Sequence, residues 1–104
     1  MDMKAYLIDD RFWKNKMEVV RTKMIPYQWK ALNDLVEDAA PSHCVKNFRI
    51  AAGMEKGDFQ GCVFQDSDLA KWLEAVGYTL AWKKDRELEQ MADEVIAVIE
   101  KAQQ

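Results

Sequence analysis

The apolar residues of this chain recur at intervals of three and four over most of its length, a spacing that places them on one face of a helix. The pattern is plainest towards the C-terminus. Leu69, Trp72, Leu73, Val76 and Leu80 form one stripe, and Leu88, Met91, Val95, Val98, Ile99 and Ala102 form another. Ser67 or Asp66 is placed to cap the first of these helices, with Asp68 in its opening turn where the helix dipole favours an anion, and Asp85 is placed to cap the second. Only Lys83 and Lys84 lie between them, so the two helices are predicted to fold back on each other as an antiparallel hairpin.

Upstream the pattern is less regular. Met17, Val20 and Met24 follow helical spacing from Lys14 until Pro26, which has no backbone donor and is read as ending one helix and opening another. That second helix is expected over 26–38, with Trp29, Leu32, Leu35 and Val36 on its buried face. The segment APSH is read as a loop, and His43 to Ala52 as a third helix that Gly53 ends in a left-handed conformation. Gly53, Gly57 and Gly61 among charged residues predict an irregular connection. Residues 4–13 fit either a short strand or an extended lead-in. The expected organisation is therefore one all-α partial domain: a lead-in over 1–13, helices over 14–53, an irregular connection over 54–65 and a helical hairpin over 66–104. The last stripe is still running at Gln104 without cap or breaker, which reads as a truncation. It leaves Met91, Val95, Val98 and Ile99 as an open face through which the chain is expected to self-associate.

Composition narrows the function classes. With 104 residues, 49% of them hydrophobic and 32% charged, the chain suits a folded helical unit of one domain or less, and any large substrate cavity has to be completed elsewhere. Its 18 acidic and 15 basic residues are interspersed, so there is no basic stripe for nucleic acid. No apolar run approaches the ~20 residues of a membrane span, and aspartates interrupt the N-terminus where a signal peptide needs an apolar stretch. The expectation is a cytoplasmic protein, in which Cys44 and Cys62 are reduced thiols; eighteen residues apart and without paired histidines, they do not make a metal site.

Few residues invite chemistry. Asp66 and Asp68, two residues apart, do not face each other on a helix, and read first as cap and dipole complement. Glu87 with Glu89, Glu55 with Asp58, and Asp9 with Asp10 read as solvated faces. His43 is the one histidine and lacks a nucleophile at a recognisable elbow, so it reads as a surface or helix-start residue. Trp13, Trp29, Trp72 and Trp82 read as core rather than as sugar platforms. A small thiol enzyme using Cys44 or Cys62 would need an activating neighbour, and none is apparent in sequence.

The segments FWK at 12–14, IPYQW at 25–29, NFRIAAG at 47–53, DFQGCVFQDSD at 58–68 and KWLEAVGYTLA at 71–81 together resemble the start of the β-L-arabinofuranosidase family, glycoside hydrolase family 127, from about Phe12 to Gln104. The resemblance implies an incomplete piece of an (α/α)6 barrel, of which the hairpin at 66–104 is an early rung. It implies retaining hydrolysis of a terminal furanose by a zinc-held cysteine and a glutamate acid/base. Neither Cys44 nor Cys62 matches the clustered cysteines of that site, so no catalytic or metal residue is assigned here, and zinc is expected only in the full-length enzyme. Carbohydrate is the implied partner, through the remainder of the domain. The stretch Phe64, Gln65, Asp66, Ser67 and Asp68 is the implied contact with the sugar pocket. Arg86 departs from the family, which often has proline after the capping aspartate. The competing reading is a stand-alone helical interaction module that binds a partner through its open apolar face.

Overall fold

The structure, a computed structural model, describes residues 9–61 and 66–103. Among these there is no strand. Helix α1 spans Arg11–Val19, a π-helical turn covers Val20–Met24, and α2 follows directly over Ile25–Leu32. Helix α3 is Cys44–Ala51, α4 is Asp66–Trp82 and α5 is Arg86–Ala102.

Helix α1 begins at Arg11, ahead of the expected start at Lys14, because the side chain of Asp10 accepts the Trp13 amide at 3.1 Å and caps it. Within the expected lead-in, Asp10 is thus a start signal, while Asp9 pairs in solvent with Lys14 at 2.8 Å. Pro26 stands in the first turn of α2, as expected, but the chain does not break ahead of it. A proline in a regular α-helix removes one backbone bond and drives its ring against the carbonyl four residues back. Here the Ile25 amide instead donates to the Val20 carbonyl, five residues back, and this wider turn just ahead of Pro26 lets the helix run on.

The second correction concerns the end of that run. Helix α2 stops at Leu32, not residue 38, because the Asn33 side chain donates to the Trp29 carbonyl at 2.8 Å and Asp34 turns into the left-handed region with φ 61°. Leu35, expected on the buried face, is 67% exposed, whereas Leu32 is buried. Asp34 then accepts the amides of Ser42 at 2.6 Å and His43 at 2.8 Å, which closes the loop ahead of α3.

Helix α3 ends as expected, with Gly53 at φ 77°. The Gly53 amide donates to Ile50 and the Met54 amide to Arg49, the paired bonds that satisfy a helix terminus when its next residue is left-handed. The irregular connection that follows is held by Asn47. This buried side chain donates to the Gln60 carbonyl at 2.7 Å and accepts the Gln60 amide at 3.1 Å, replacing the pairing that helix or sheet would supply.

The predicted hairpin is present. Asp85 caps α5 by accepting the Leu88 amide at 3.1 Å, and α4 packs on α5. Leu69, Trp72 and Val76 of α4 meet Leu88, Ala92 and Val95 of α5, with Ile25, Leu32, Cys44 and Val45 completing the core. Each fully buried aliphatic side chain contributes about 1.5–3 kcal/mol. Trp72 ties the hairpin to the long helix: its indole donates to the Ile25 carbonyl at 3.1 Å and its ring lies 4.8 Å from that of Trp29. Trp13, by contrast with the core position expected of it, is 57% exposed. Arg21, on the π-helical turn, reaches both Asp85 and Glu18 at 2.6 Å and fastens the same two bodies from the other end.

The open face expected on α5 is not open. Val95 and Val98 are buried, at 1% and 5% exposure, and Met91 and Ile99 are half-buried, since α3 covers that side. Apolar residues are exposed elsewhere, among them Val19, Met24 and Tyr27 along the long helix, Tyr78 on α4 and Ile96 on another side of α5, each about half exposed.

Candidate functional site

Of the sequence-predicted contact stretch, Phe64 and Gln65 lie outside the described residues, as does Cys62. Asp66, Ser67 and Asp68 form the first turn of α4 and all are exposed. The apolar stripe that begins at Leu69 turns one side of this helix into the core and leaves its acidic start at the surface. Two carboxylates there complement the dipole, whether or not a ligand is present.

The first turn of α4 stands beside the start of α3. Cys44 is fully buried at that junction, and burial pushes its thiol up to about 11. A hydrogen bond from the Leu69 amide works the other way, while the charges of Asp68, Asp66 and Asp34 raise it further. Only ~10⁻⁴ of such a thiol is ionised near neutrality, so Cys44 is a core residue and not a nucleophile. His43, at φ 60°, stands at the start of α3 with Nδ1 3.5 Å from Asp34 and without a hydrogen bond at that atom. The corner thus gathers carboxylates from two elements. Carboxylates accept hydrogen bonds from hydroxyl groups, and that is what this corner can offer a ligand. Among the described residues, no group of three His, Cys, Asp or Glu side chains could hold a metal ion. They do not fit the implied zinc, and no reaction step is assigned to them.

A groove of about 430 Å³ runs between α2 and α4, walled by Val20, Met24, Ile25, Leu32, Trp72 and Ala75. Its polar atoms come from Gln28, Asp68 and Lys71, so Asp68 connects the acidic corner to the groove. Sequence reasoning singled out Asp68 but missed Gln28 and Lys71. They are exposed polar residues at helical spacing, and their association depends on how α2 crosses α4. It also missed Asn47 and Asp34, whose signal was present: a polar residue among apolar neighbours in NFRIAAG, and an adjacent asparagine and aspartate within the apolar stripe of 26–38.

The profile of the family described as "Beta-L-arabinofuranosidase, GH127 catalytic domain" matches residues 7–104. A non-reducing end beta-L-arabinofuranosidase of Bifidobacterium longum subsp. longum is 38% identical over 109 aligned positions, which cover 93% of this chain and 17% of the relative. The crystal structure of a GH127 beta-L-arabinofuranosidase from Geobacillus stearothermophilus T6 shares 59% identity and superposes with a TM-score of 0.90, over 94% of this chain and 15% of that one. The chain thus spans about one sixth of the length of these relatives, and nothing in the comparisons favours a stand-alone interaction module. Matched by the family profile over nearly its whole length, and like these enzymes in both sequence and fold, the chain belongs to the β-L-arabinofuranosidase family GH127.

Proposed function

We propose that this chain forms the opening helices of a catalytic barrel, in a protein that releases arabinofuranose from the non-reducing ends of β-L-arabinofuranosides. One observation carries the reading: a catalytic-domain profile matches residues 7–104, while the enzymes matched are about six times longer. In this role the long helix and the α4–α5 hairpin are wall, and residues 64–68 reach the sugar. The zinc, its cysteines and the acid/base glutamate fall to the rest of the protein, so the 104-residue chain alone is inactive with or without zinc.

Grafting tests this. The chain replaces the corresponding segment of the Geobacillus enzyme, and hydrolysis of p-nitrophenyl β-L-arabinofuranoside is followed. The graft is expected to retain kcat/KM within about tenfold, a difference of about 1.4 kcal/mol in transition-state binding. A folded graft with no activity, or activity from the chain alone, refutes the proposal. Within an active graft, Asp66→Asn should lower kcat/KM if residues 64–68 contact the sugar, and leave it unchanged if Asp66 only complements the helix dipole.

A further inference from the structure

Helix α4 is held from inside the core by Leu69 and Trp72, but the direction from which the chain enters it is fixed elsewhere. Among the described residues, the backbone of 55–61 makes no hydrogen bond to other backbone groups, so neither helix nor sheet sets its register. Asn47 sets it instead. Its side chain is 6% exposed, donates to the Gln60 carbonyl at 2.7 Å and accepts the Gln60 amide at 3.1 Å. About one turn further along the same face of α3, Ile50 lies against Gly57, where an added Cβ would meet its Cδ1 at 3.4 Å. With Gln60 on Asn47 and Gly57 on Ile50, the connection runs back along α3 towards the end where Cys44 stands.

That end is where α4 begins. The Leu69 amide donates to Cys44, and the charges of Asp66 and Asp68 are close enough to act on its thiol. Asn47 is about one helical turn from Cys44, and Gln60 precedes Asp66 by six residues, so a slip at Gln60 changes the length of chain left to reach the first turn of α4. Apolar contact alone has no preferred register and would not prevent such a slip. A side-chain amide whose donor and acceptor are both engaged by one residue does prevent it. We propose that Asn47 is a positioning residue for sugar recognition, which acts by fixing the entry to α4 and does not itself touch the ligand. The inference rests on the proposed function for contact between that entry and the sugar. It adds a residue on a neighbouring helix that the contact requires.

Kinetics of the active graft test it, at a temperature where every variant is folded. Asn47→Ala should lower kcat/KM for p-nitrophenyl β-L-arabinofuranoside at least about tenfold, mostly through KM. Asn47→Asp keeps the size of the side chain and its acceptor, so it is read in place of the alanine should that variant not fold, and it should show the same loss. Leu88→Ala removes core packing at the far end of α4 and should leave kcat/KM within about threefold, which separates positioning from lost stability. Gln60→Ala should be as silent, because both bonds go to the backbone of that residue. In a double variant with Asp66→Asn, the Asn47→Ala loss should not add, since both act through the entry to α4. An Asn47 loss no larger than that of Leu88→Ala, or losses that multiply in the double variant, overturns the proposal. If Asp66→Asn lowers kcat/KM and Asn47→Ala does not, the sugar contact stands without this residue. If Asp66→Asn is inert, the sugar contact itself fails, and the inference with it.

Discussion

In the α4–α5 hairpin the backbone satisfies itself through helical ladders and the side chains supply an apolar seam, whereas between Asn33 and Gly61 the chain leans on individual polar side chains wherever α3 does not hold it. Asp34 gathers the amides of Ser42 and His43, and Asn47 grips Gln60 at both its amide and its carbonyl. The first region depends on area, which many residues share. The second depends on direction, which one residue at a time provides. The same size of substitution should therefore do different things in the two regions: lower the stability of the whole hairpin, or release one loop.

The strongest challenge to this division is Trp72→Ala. It removes a buried ring, its stacking on Trp29 and its bond to the Ile25 carbonyl, and should cost about 3–5 kcal/mol in denaturant unfolding. A loss under about 1 kcal/mol would mean that the hairpin stands without the long helix. Asn47→Ala should cost less, about 1–3 kcal/mol, and show itself locally. Trypsin should cut after exposed Lys56 faster in the variant than in the parent protein. Asn47→Asp should behave alike, because a carboxylate oxygen then faces the Gln60 carbonyl. Unchanged cleavage would show that the loop does not need its clamp.

A smaller effect is expected at the junction of the two bodies. Asp85→Ala should cost about 1 kcal/mol as a lost cap, and somewhat more through Arg21. Burial opposes the Asp85 charge, but the Leu88 amide and the Arg21 guanidinium outweigh it and hold this carboxyl below its ordinary value of 3.8. A lowered folded pKa means that the contribution is complete above the unfolded value and is lost as pH falls through the folded one. Melts between pH 6 and pH 2 should therefore show Asp85→Asn flattening the acid limb of the stability curve below about pH 4. An unchanged limb would discount the ion pair. The smallest signal is chemical: Cys44, pushed up to about 11, should resist thiol reagents until the protein unfolds, and rapid labelling of the native chain at Cys44 would contradict its burial.

What could be read in advance follows the same division. The hairpin, the cap at Asp85 and the left-handed stop at Gly53 were legible, because each is a local rule with its residues side by side in sequence. The all-α class followed from the same periodicity. Pro26 was rightly placed in the first turn of a helix, but the break expected ahead of it is absent, since a proline does not announce whether the turn before it will widen. Leu35 and Val36 fit the stripe of α2 but lie beyond Asn33 and Asp34, whose side chains divert the backbone. The supposed open face on α5 failed for another reason: its cover comes from α3, and periodicity does not say which helix faces which. The groove was illegible for that reason too, as Gln28 and Lys71 become neighbours only when α2 crosses α4. Of the acidic stretch, sequence placed Asp68 in a first helical turn, but it read Ser67 or Asp66 as the cap, whereas the helix already begins at Asp66 and both lie within its first turn; contact with a sugar rests on the family resemblance.

The wide turn at Val20–Met24 bears on how this helix tolerates change in length. A π-turn holds one residue more than an α-helical ladder needs, and each residue of an α-helix advances about 100° around the axis. Deleting one residue there would restore an unbroken ladder and leave Phe12 and Trp13 in nearly the same direction relative to Leu32, because the extra residue is taken up within the wider turn. The core would keep its register. The same deletion between Pro26 and Leu32 would swing Trp29 away from Trp72. One-residue insertions and deletions among related sequences should therefore gather at 20–24 and be scarce in the turn that follows.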